Sequence, residues 1–454
     1  MEAGRLRRVA VAVALGLFAV NLDFFAVQTA LPQMARDLDS TTTALQWVIS
    51  GYLLSLASAF VVSGRLADVF GRKRFLLAGA IVFGVTSLIG GAASTAGLVI
   101  AMRVVQGVGA ALLFPVGLAV VTNAYPPERV QRAVATVFGI AAVGQAFGPL
   151  LGGVITGALS WRWVLWLNVP VTVIIVVLVL RDVAESRDPE ASRRIDWWGL
   201  CLVVSSVGLF VYGIDGTARW GWVSGRTALA IVPALLGLVA LVLVERRVAE
   251  PLLDLALFRI RAFSLMVVTG AAGNFVALAT IFLATTLLQE VRALEPTEAG
   301  LAFLTFSVPY AAGNQWTSRL ERFAPPTVMA AALGAAGVGT ALMGITDAGA
   351  PFFVVAALSG LGLGVAWAYA NAVSQSVVPV EQAGAASGVV LTVLVALGGV
   401  AVAVASSVVE PRSATTPALE AAIGDALVGF GVVAIAMAVA AAFVGRRDRP
   451  TTAG

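Results

Sequence analysis

Apolar positions in this chain fall in long unbroken runs, not in the alternating pattern of a half-buried strand, and short stretches holding Arg, Asp, Glu, Pro and Gly separate them. Fourteen of these runs predict membrane-crossing helices, at roughly 9–31, 46–66, 75–95, 98–122, 132–156, 164–181, 197–215, 227–245, 262–288, 299–317, 326–346, 351–372, 384–409 and 423–444. They are rich in Gly, Ala, Val and Leu and lack the ten-residue alternation of barrel strands. The first follows Arg5, Arg7 and Arg8 as a signal peptide would, but it is too long and contains Asp23, so it reads as the first span.

Composition agrees. Of 454 residues 59% are hydrophobic and only 12% charged, with a mean hydropathy of +0.95. No soluble globular protein of this size carries such a surface. The expected fold class is an all-α membrane protein without a sizeable soluble domain. Histidine is absent, which removes Ser-His hydrolysis, the His-Glu-x-x-His zinc motif and any imidazole proton relay. Proton chemistry then falls to carboxylates. The single cysteine, Cys201, can form no intrachain disulfide and reads as a packing residue.

A pI near 9.7 invites a nucleic-acid reading. The positions of the basic residues answer it. With the N-terminus in the cytoplasm, the inner segments collect most of them, beginning with Arg5, Arg7, Arg8, Arg65, Arg72, Lys73 and Arg74. The outer segments hold only Arg36, Arg162, Arg219, Arg226, Arg292 and Arg412. This asymmetry follows the positive-inside rule, places both termini in the cytoplasm and accounts for the pI without nucleic acid. Trp161, Trp163, Trp166, Trp197, Trp198, Trp220 and Trp222 fall near span ends and read as interfacial anchors, whereas Trp316 and Trp367 are candidates to line a cavity.

The most polar stretch, from Arg181 to Asp196, reads as a cytoplasmic linker, and a second basic connection runs from Glu245 to Arg261. Together they bracket a helix pair. The expected organisation is a six-helix bundle at 1–182, linkers and an inserted pair (spans seven and eight) at 183–261, a second six-helix bundle at 262–446 and a tail at 447–454. A faint echo of Gly64-Arg65-Leu66-Ala67-Asp68-Val69-Phe70 in Ser318-Arg319-Leu320-Glu321-Arg322-Phe323 fits two related halves.

Asp23, in Asn21-Leu22-Asp23-Phe24-Phe25, is a carboxylate within an apolar span. An acid there costs a few kcal/mol on insertion scales, so it faces a water-filled cavity, pairs with a cation or takes up a proton. Arg103 is a guanidinium in the fourth run and needs a partner in turn. Counting along each helix puts Asp23 roughly 12 Å and Arg103 roughly 8 Å from the outer span ends. A static ion pair holding two helices is the plainer alternative to a proton site. Gly144, Gly148 and Gly152 recur every four residues and make a smooth strip for a neighbouring helix, while Pro149 removes a backbone donor and favours a kink. In the loop from Gly64 to Arg74, Gly64 and Gly71 permit a tight turn, and Asp68 is placed to accept hydrogen bonds from a helix N-terminus across the bundle interface.

Here the residues resemble the major facilitator superfamily, whose motif between spans two and three matches Gly64 to Arg74. Its span-four motif matches Arg103-Val104-Val105-Gln106-Gly107, and its antiporter pattern in span five matches Gly144 to Gly153. Fourteen runs, Leu22-Asp23 ahead of Ala30-Leu31-Pro32, and Trp161-Arg162-Trp163 before Asn168-Val169-Pro170 look like the fourteen-spanning drug:proton antiporter branch. Gln28 and Phe25 depart from that branch, which usually has Asn and Thr there. The branch often carries further acids in its second half to bind cations. The run 299–317 has none, which argues against a specialist for divalent cations.

The resemblance implies two six-helix bundles plus two extra helices, with spans one and four beside a central cavity. Asp23 and Arg103 become the proton-coupling pair, Asp23 alternating between that pairing and a proton; Asp215 and Glu290 are weaker coupling candidates. Gly64, Asp68, Gly71, Arg72, Gly144, Gly148, Pro149 and Gly152 become gating and packing residues. Phe24, Phe25, Gln28, Phe114, Gln145, Asn274, Tyr310 and Trp367 are the cavity candidates for a lipophilic or cationic compound. The expectation is a monomeric exporter in the bacterial cytoplasmic membrane, surrounded by lipid, driven by the proton gradient and without a cofactor. No phosphate loop is present, and the only lysine is Lys73. Export of one specific metabolite, peptide or siderophore is the rival reading; a membrane enzyme or a non-transporting sensor is disfavoured.

Overall fold

The computed structural model describes residues 2–42, 44–187, 196–248, 255–320, 322–346, 349–378, 383–409 and 415–447. Among them the chain is helical, with no strand: α1 (Glu2–Asp37), α2 (Trp47–Phe70), α3 (Arg72–Gly91), α4 (Ala96–Ala124), α5 (Pro127–Ala158), α6 (Trp161–Trp166), α7 (Asn168–Asp182), α8 (Trp197–Trp220), α9 (Gly225–Glu245), α10 (Arg261–Thr286), α11 (Pro296–Leu320), α12 (Pro325–Met343), α13 (Ala350–Ser376), α14 (Ala383–Val409) and α15 (Thr416–Arg447). Residues 188–195 of the expected Arg181–Asp196 linker, together with Glu321 of the echo and Arg412, lie outside the described residues.

Twelve helices of the described residues are long and apolar enough to cross a membrane, so the chain is a multi-pass membrane protein. The expectation of fourteen spans is met only in part. A thirteenth, over Ala44–Phe60 and Val62–Phe70, is bent by 49°. The one expected run left over, the tenth (299–317), corresponds to α11, whose 25 residues suffice in length. Its apolar character is diluted by Thr297, Glu298, Thr305, Ser307, Asn314 and Gln315. The expected sixth span is two helices, α6 and α7, joined at Leu167.

The chain forms two compact units, one of residues Met1–Tyr212, Ala228–Leu252 and Leu294–Leu301, the other of Gly213–Thr227, Leu253–Ala293 and Ala302–Gly454. In the first, α1 lies against the glycine strip of α5. A Cβ on Gly144 would stand 2.6 Å from the Phe18 carbonyl, and one on Gly148 would stand 2.7 Å from Phe25 Cβ. Gly152 sits directly against the Ala26 backbone. Without a hydrophobic drive between helices in lipid, such backbone proximity is where packing energy comes from. In the second unit, Phe263, Val267, Val390 and Leu394 form one apolar cluster and Met329, Leu333, Ala366 and Tyr369 form part of another.

Two single-residue expectations change. Trp161 is fully buried rather than interfacial. Its indole Nε1 donates to Asp37 Oδ2 at 3.0 Å and its backbone N–H donates to Gln33 Oε1 at 2.9 Å, which ties α6 to the end of α1. Cys201 is exposed instead of packed. Trp163, Trp197, Trp198 and Trp222 are exposed.

Candidate functional site

In the first unit a fully buried ion pair stands among the described residues. Asp23 on α1 and Arg103 on α4 are each 1% exposed, and Arg103 Nη1 donates to Asp23 Oδ2. A charge at such depth needs a counter-charge and hydrogen bonds to offset its desolvation. Four helices supply the partners. Arg103 Nε donates to the Val48 carbonyl of α2 at 3.1 Å, and Nη1 also reaches Gln106 Oε1, one turn along α4, at 2.7 Å. The guanidinium carbon lies 4.2 Å from the ring centroid of Tyr52, a cation–π contact.

The other carboxylate oxygen, Asp23 Oδ1, accepts from Asn168 Nδ2 at 2.6 Å and from Gln106 Nε2 at 3.4 Å. Both amides also donate to Ser87 Oγ on α3, from Gln106 at 2.7 Å and from Asn168 at 3.3 Å. Asn168 opens α7, immediately after the Leu167 joint. The result is a carboxyl group held by donors from α4 and α7, with α2 and α3 holding those donors in place.

The aromatic candidates sort themselves around this core. Phe24 packs edge-on to Phe25 at 4.9 Å and stacks on Tyr52 at 6.1 Å. Gln28, one turn along α1, is buried, and its Oε1 has no hydrogen-bond partner among the described residues. The buried Tyr52 hydroxyl and Arg103 Nη2 likewise make no hydrogen bond. Gln145 is buried on α5. Phe114 joins a separate aromatic group with Phe60 and Phe138. Asn274, Tyr310 and Trp367 belong to the second unit. There Asn274 donates to the Leu394 carbonyl at 2.7 Å, Tyr310 lies 6.0 Å from Phe306, and Trp367 packs against the Phe263 cluster. Glu290 is exposed, and the Asp215 side chain lies outside the described set.

In the turn between α2 and α3, Asp68 pairs with Arg72 Nε at 2.8 Å, and Gly71 adopts φ +122°. The carboxylate at the α3 N-terminus is Glu185. It accepts from the Lys73 N–H at 3.1 Å and lies 3.6 Å from Arg74, while the Arg72 N–H donates to the Ser186 carbonyl at 2.9 Å. A Cβ on Gly71 would stand 2.7 Å from that carboxylate. Gly64 has open space around its Cβ position. Pro149 lies inside α5, its carbonyl accepting from Thr29 Oγ1 at 3.3 Å.

Sequence reasoning named Asp23 and Arg103 but not the polar set around them. Ser87 and Tyr52 stood out in no way, and Asn168 entered only as part of a motif. A single polar residue in an apolar run most often hydrogen-bonds its own helix, as Asn21 does to the Leu17 carbonyl, so position along the chain gives no sign of which ones converge.

The profile of the Major Facilitator Superfamily matches residues 13–403. Multidrug resistance protein Stp of Mycobacterium tuberculosis (strain CDC 1551 / Oshkosh) is 32% identical over 421 residues, 91% of this chain and 78% of that protein. Cephamycin export protein CmcT of Amycolatopsis lactamdurans is 34% identical over 441 residues, 93% of this chain and 89% of that protein. Among solved structures, a POT family transporter in complex with a thioalcohol-conjugated peptide superposes with a TM-score of 0.72 at 12% identity, covering 96% of each chain. That last likeness concerns the fold alone.

Proposed function

Because the chain belongs to the Major Facilitator Superfamily, we propose that it exports drugs or antibiotics across the bacterial cytoplasmic membrane in exchange for protons. The observation that carries this reading is the ion pair of Asp23 and Arg103, sealed at 1% exposure among apolar helices and completed by Gln106 and Asn168. A buried pair is weak support for stability, since its desolvation cost offsets its Coulomb attraction. It is a sound device for moving a proton, because adding one to Asp23 removes the anion and frees Arg103.

In the cycle proposed, a proton from the outer side enters Asp23 while the carrier is open outward, and the loss of the anion permits closure. On the inner side the proton leaves and the drug binds as the carboxylate forms again. The two halves of the chain alternate access to a midplane site by tilting against each other. Aromatic faces at Phe24, Phe25 and Tyr52 suit a flat lipophilic compound, and Gln28 supplies an unused acceptor. Gly64, Asp68, Gly71 and Arg72 form the turn that switches with closure. Asn274, Tyr310 and Trp367 are offered as contacts from the second unit. The chain acts as a monomer with both termini in the cytoplasm, and it uses no cofactor.

The test is a resistance and accumulation screen in an efflux-deficient bacterial host, with and without a proton uncoupler. Lowered accumulation of at least one lipophilic antibiotic, abolished by the uncoupler, is expected. Accumulation that stays low after uncoupling would remove proton coupling, and no change with any compound would remove drug export.

A further inference from the structure

We propose that Asn168 is the positioning residue that reads the protonation state of Asp23, its carboxamide donating to the carboxylate and turning over to accept from the acid. The inference rests on the proton-carrying role of Asp23 above. It starts from a mismatch in the hydrogen-bond inventory. Every group recorded against Asp23 is a donor: Arg103 Nη1 to Oδ2, and Asn168 Nδ2 and Gln106 Nε2 to Oδ1. That set fits an anion with acceptors only. A protonated Asp23 carries one O–H that must find an acceptor or stay buried and unpaired, which is costly in a dry interior.

Of the groups in direct contact with Asp23 few can provide that acceptor, and the buried Gln28 Oε1 and Tyr52 hydroxyl make no hydrogen bond to it. Arg103 has donors only. Gln106 Oε1 already accepts from Arg103 Nη1 at 2.7 Å. From α5, the contacts of α1 around Leu22 are the backbone-hugging Gly144 and Gly148, which bring no titratable side chain. From α2 come the Val48 carbonyl, held by Arg103, and Tyr52, whose ring covers the guanidinium. From α6, Arg162 pairs with Asp37. Asn168 carries a donor and an acceptor on one amide, lies 2.6 Å from Oδ1, and is buried.

The step balances simply. A proton from water bonds to Asp23 Oδ1, the Asn168 N–H contact breaks, and the new O–H donates to Asn168 Oδ1 after the amide rotates. Ser87 Oγ, which accepts from Asn168 Nδ2 at 3.3 Å, becomes a donor or acceptor by turning its hydroxyl. Release of the proton reverses each exchange. Asn168 is the first residue of α7, next to the Leu167 joint, so the exchange of partners acts where the two helices meet.

Infrared difference spectra between acidic and alkaline pH test this on the full chain in lipid, with no transported compound needed. Wild-type protein is expected to gain a protonated-carboxyl band that is missing in Asp23→Asn. In asparagine-15N-labelled protein an amide band should change together with it and vanish in both Asp23→Asn and Asn168→Leu. In Asn168→Leu the carboxyl band should move to higher wavenumber as its O–H loses the acceptor. A carboxyl band tied to Asp23 without any coupled asparagine band would overturn the role of Asn168 and leave that of Asp23 standing. A carboxyl band unchanged in Asp23→Asn, or none in wild type, would overturn the role of Asp23 and this inference with it. If Asn168→Leu does not fold, the wild-type and Asp23→Asn pair still decides.

Discussion

Replacing Arg103 by Met and Asp23 by Asn should have unequal and strongly coupled effects on stability. In Arg103→Met the Asp23 carboxylate keeps only two neutral amide donors, at 2.6 and 3.4 Å, and Gln106 Oε1 loses the guanidinium that it accepts from. Leaving a buried charge without its counter-ion costs about 3–5 kcal/mol. In Asp23→Asn the guanidinium keeps the Val48 carbonyl, Gln106 Oε1 and the Tyr52 face. One charge-assisted hydrogen bond is lost there, at about 1–3 kcal/mol. The double variant leaves neither charge stranded, so its loss should fall short of the summed single losses by at least about 1.5 kcal/mol. Reversible unfolding in mixed detergent micelles measures all four proteins. Losses that add to within about 0.5 kcal/mol, or a larger loss in Asp23→Asn than in Arg103→Met, would refute this reasoning.

Other contacts make further predictions. Gly148→Val pushes against Phe25 Cβ and the Leu22 carbonyl on α1, and should lower unfolding free energy by about 1–3 kcal/mol; wild-type stability would show that α1 and α5 do not pack this closely. Gly71→Ala meets both a φ of +122° and the Glu185 carboxylate, so a destabilisation of about 1–3 kcal/mol is expected, shrinking when combined with Glu185→Ala. Trp161→Phe removes the hydrogen bond to Asp37 from a buried site and should cost about 1–3 kcal/mol, with Asp37→Asn in the same background adding little.

Much of the fold was legible because a bilayer imposes a simple rule on length and polarity. Runs such as 75–95 and 227–245 read as spans, and α3, to Gly91, and α9 occupy them. The rule weakens where polar residues enter a span, which is why α11, with Asn314 and Gln315, falls short of the expected apolar character. Asp23 and Arg103 stood out as lone charges in apolar surroundings. Asn168 and Ser87 did not, since a neutral amide or hydroxyl costs little in a helix and its partner is chosen by three-dimensional packing. Trp161 shows the same limit from the other side. An indole near a span end can anchor at the interface or be buried with its N–H satisfied, and Asp37, far away in sequence, decides. Asp68 was the expected ligand of a helix N-terminus across the bundle interface; within its own unit it pairs with Arg72, and Glu185, read only as part of a polar linker, takes the start of α3.

Transport by Asp23→Asn in proteoliposomes with an imposed pH gradient tests the central claim most directly, using a compound found in the resistance screen. The amide keeps the shape of the carboxyl group but carries no proton. Gradient-driven accumulation should disappear, while exchange of labelled for unlabelled compound at equal pH continues within a few-fold of wild type. Accumulation at the wild-type rate in that variant would contradict the account.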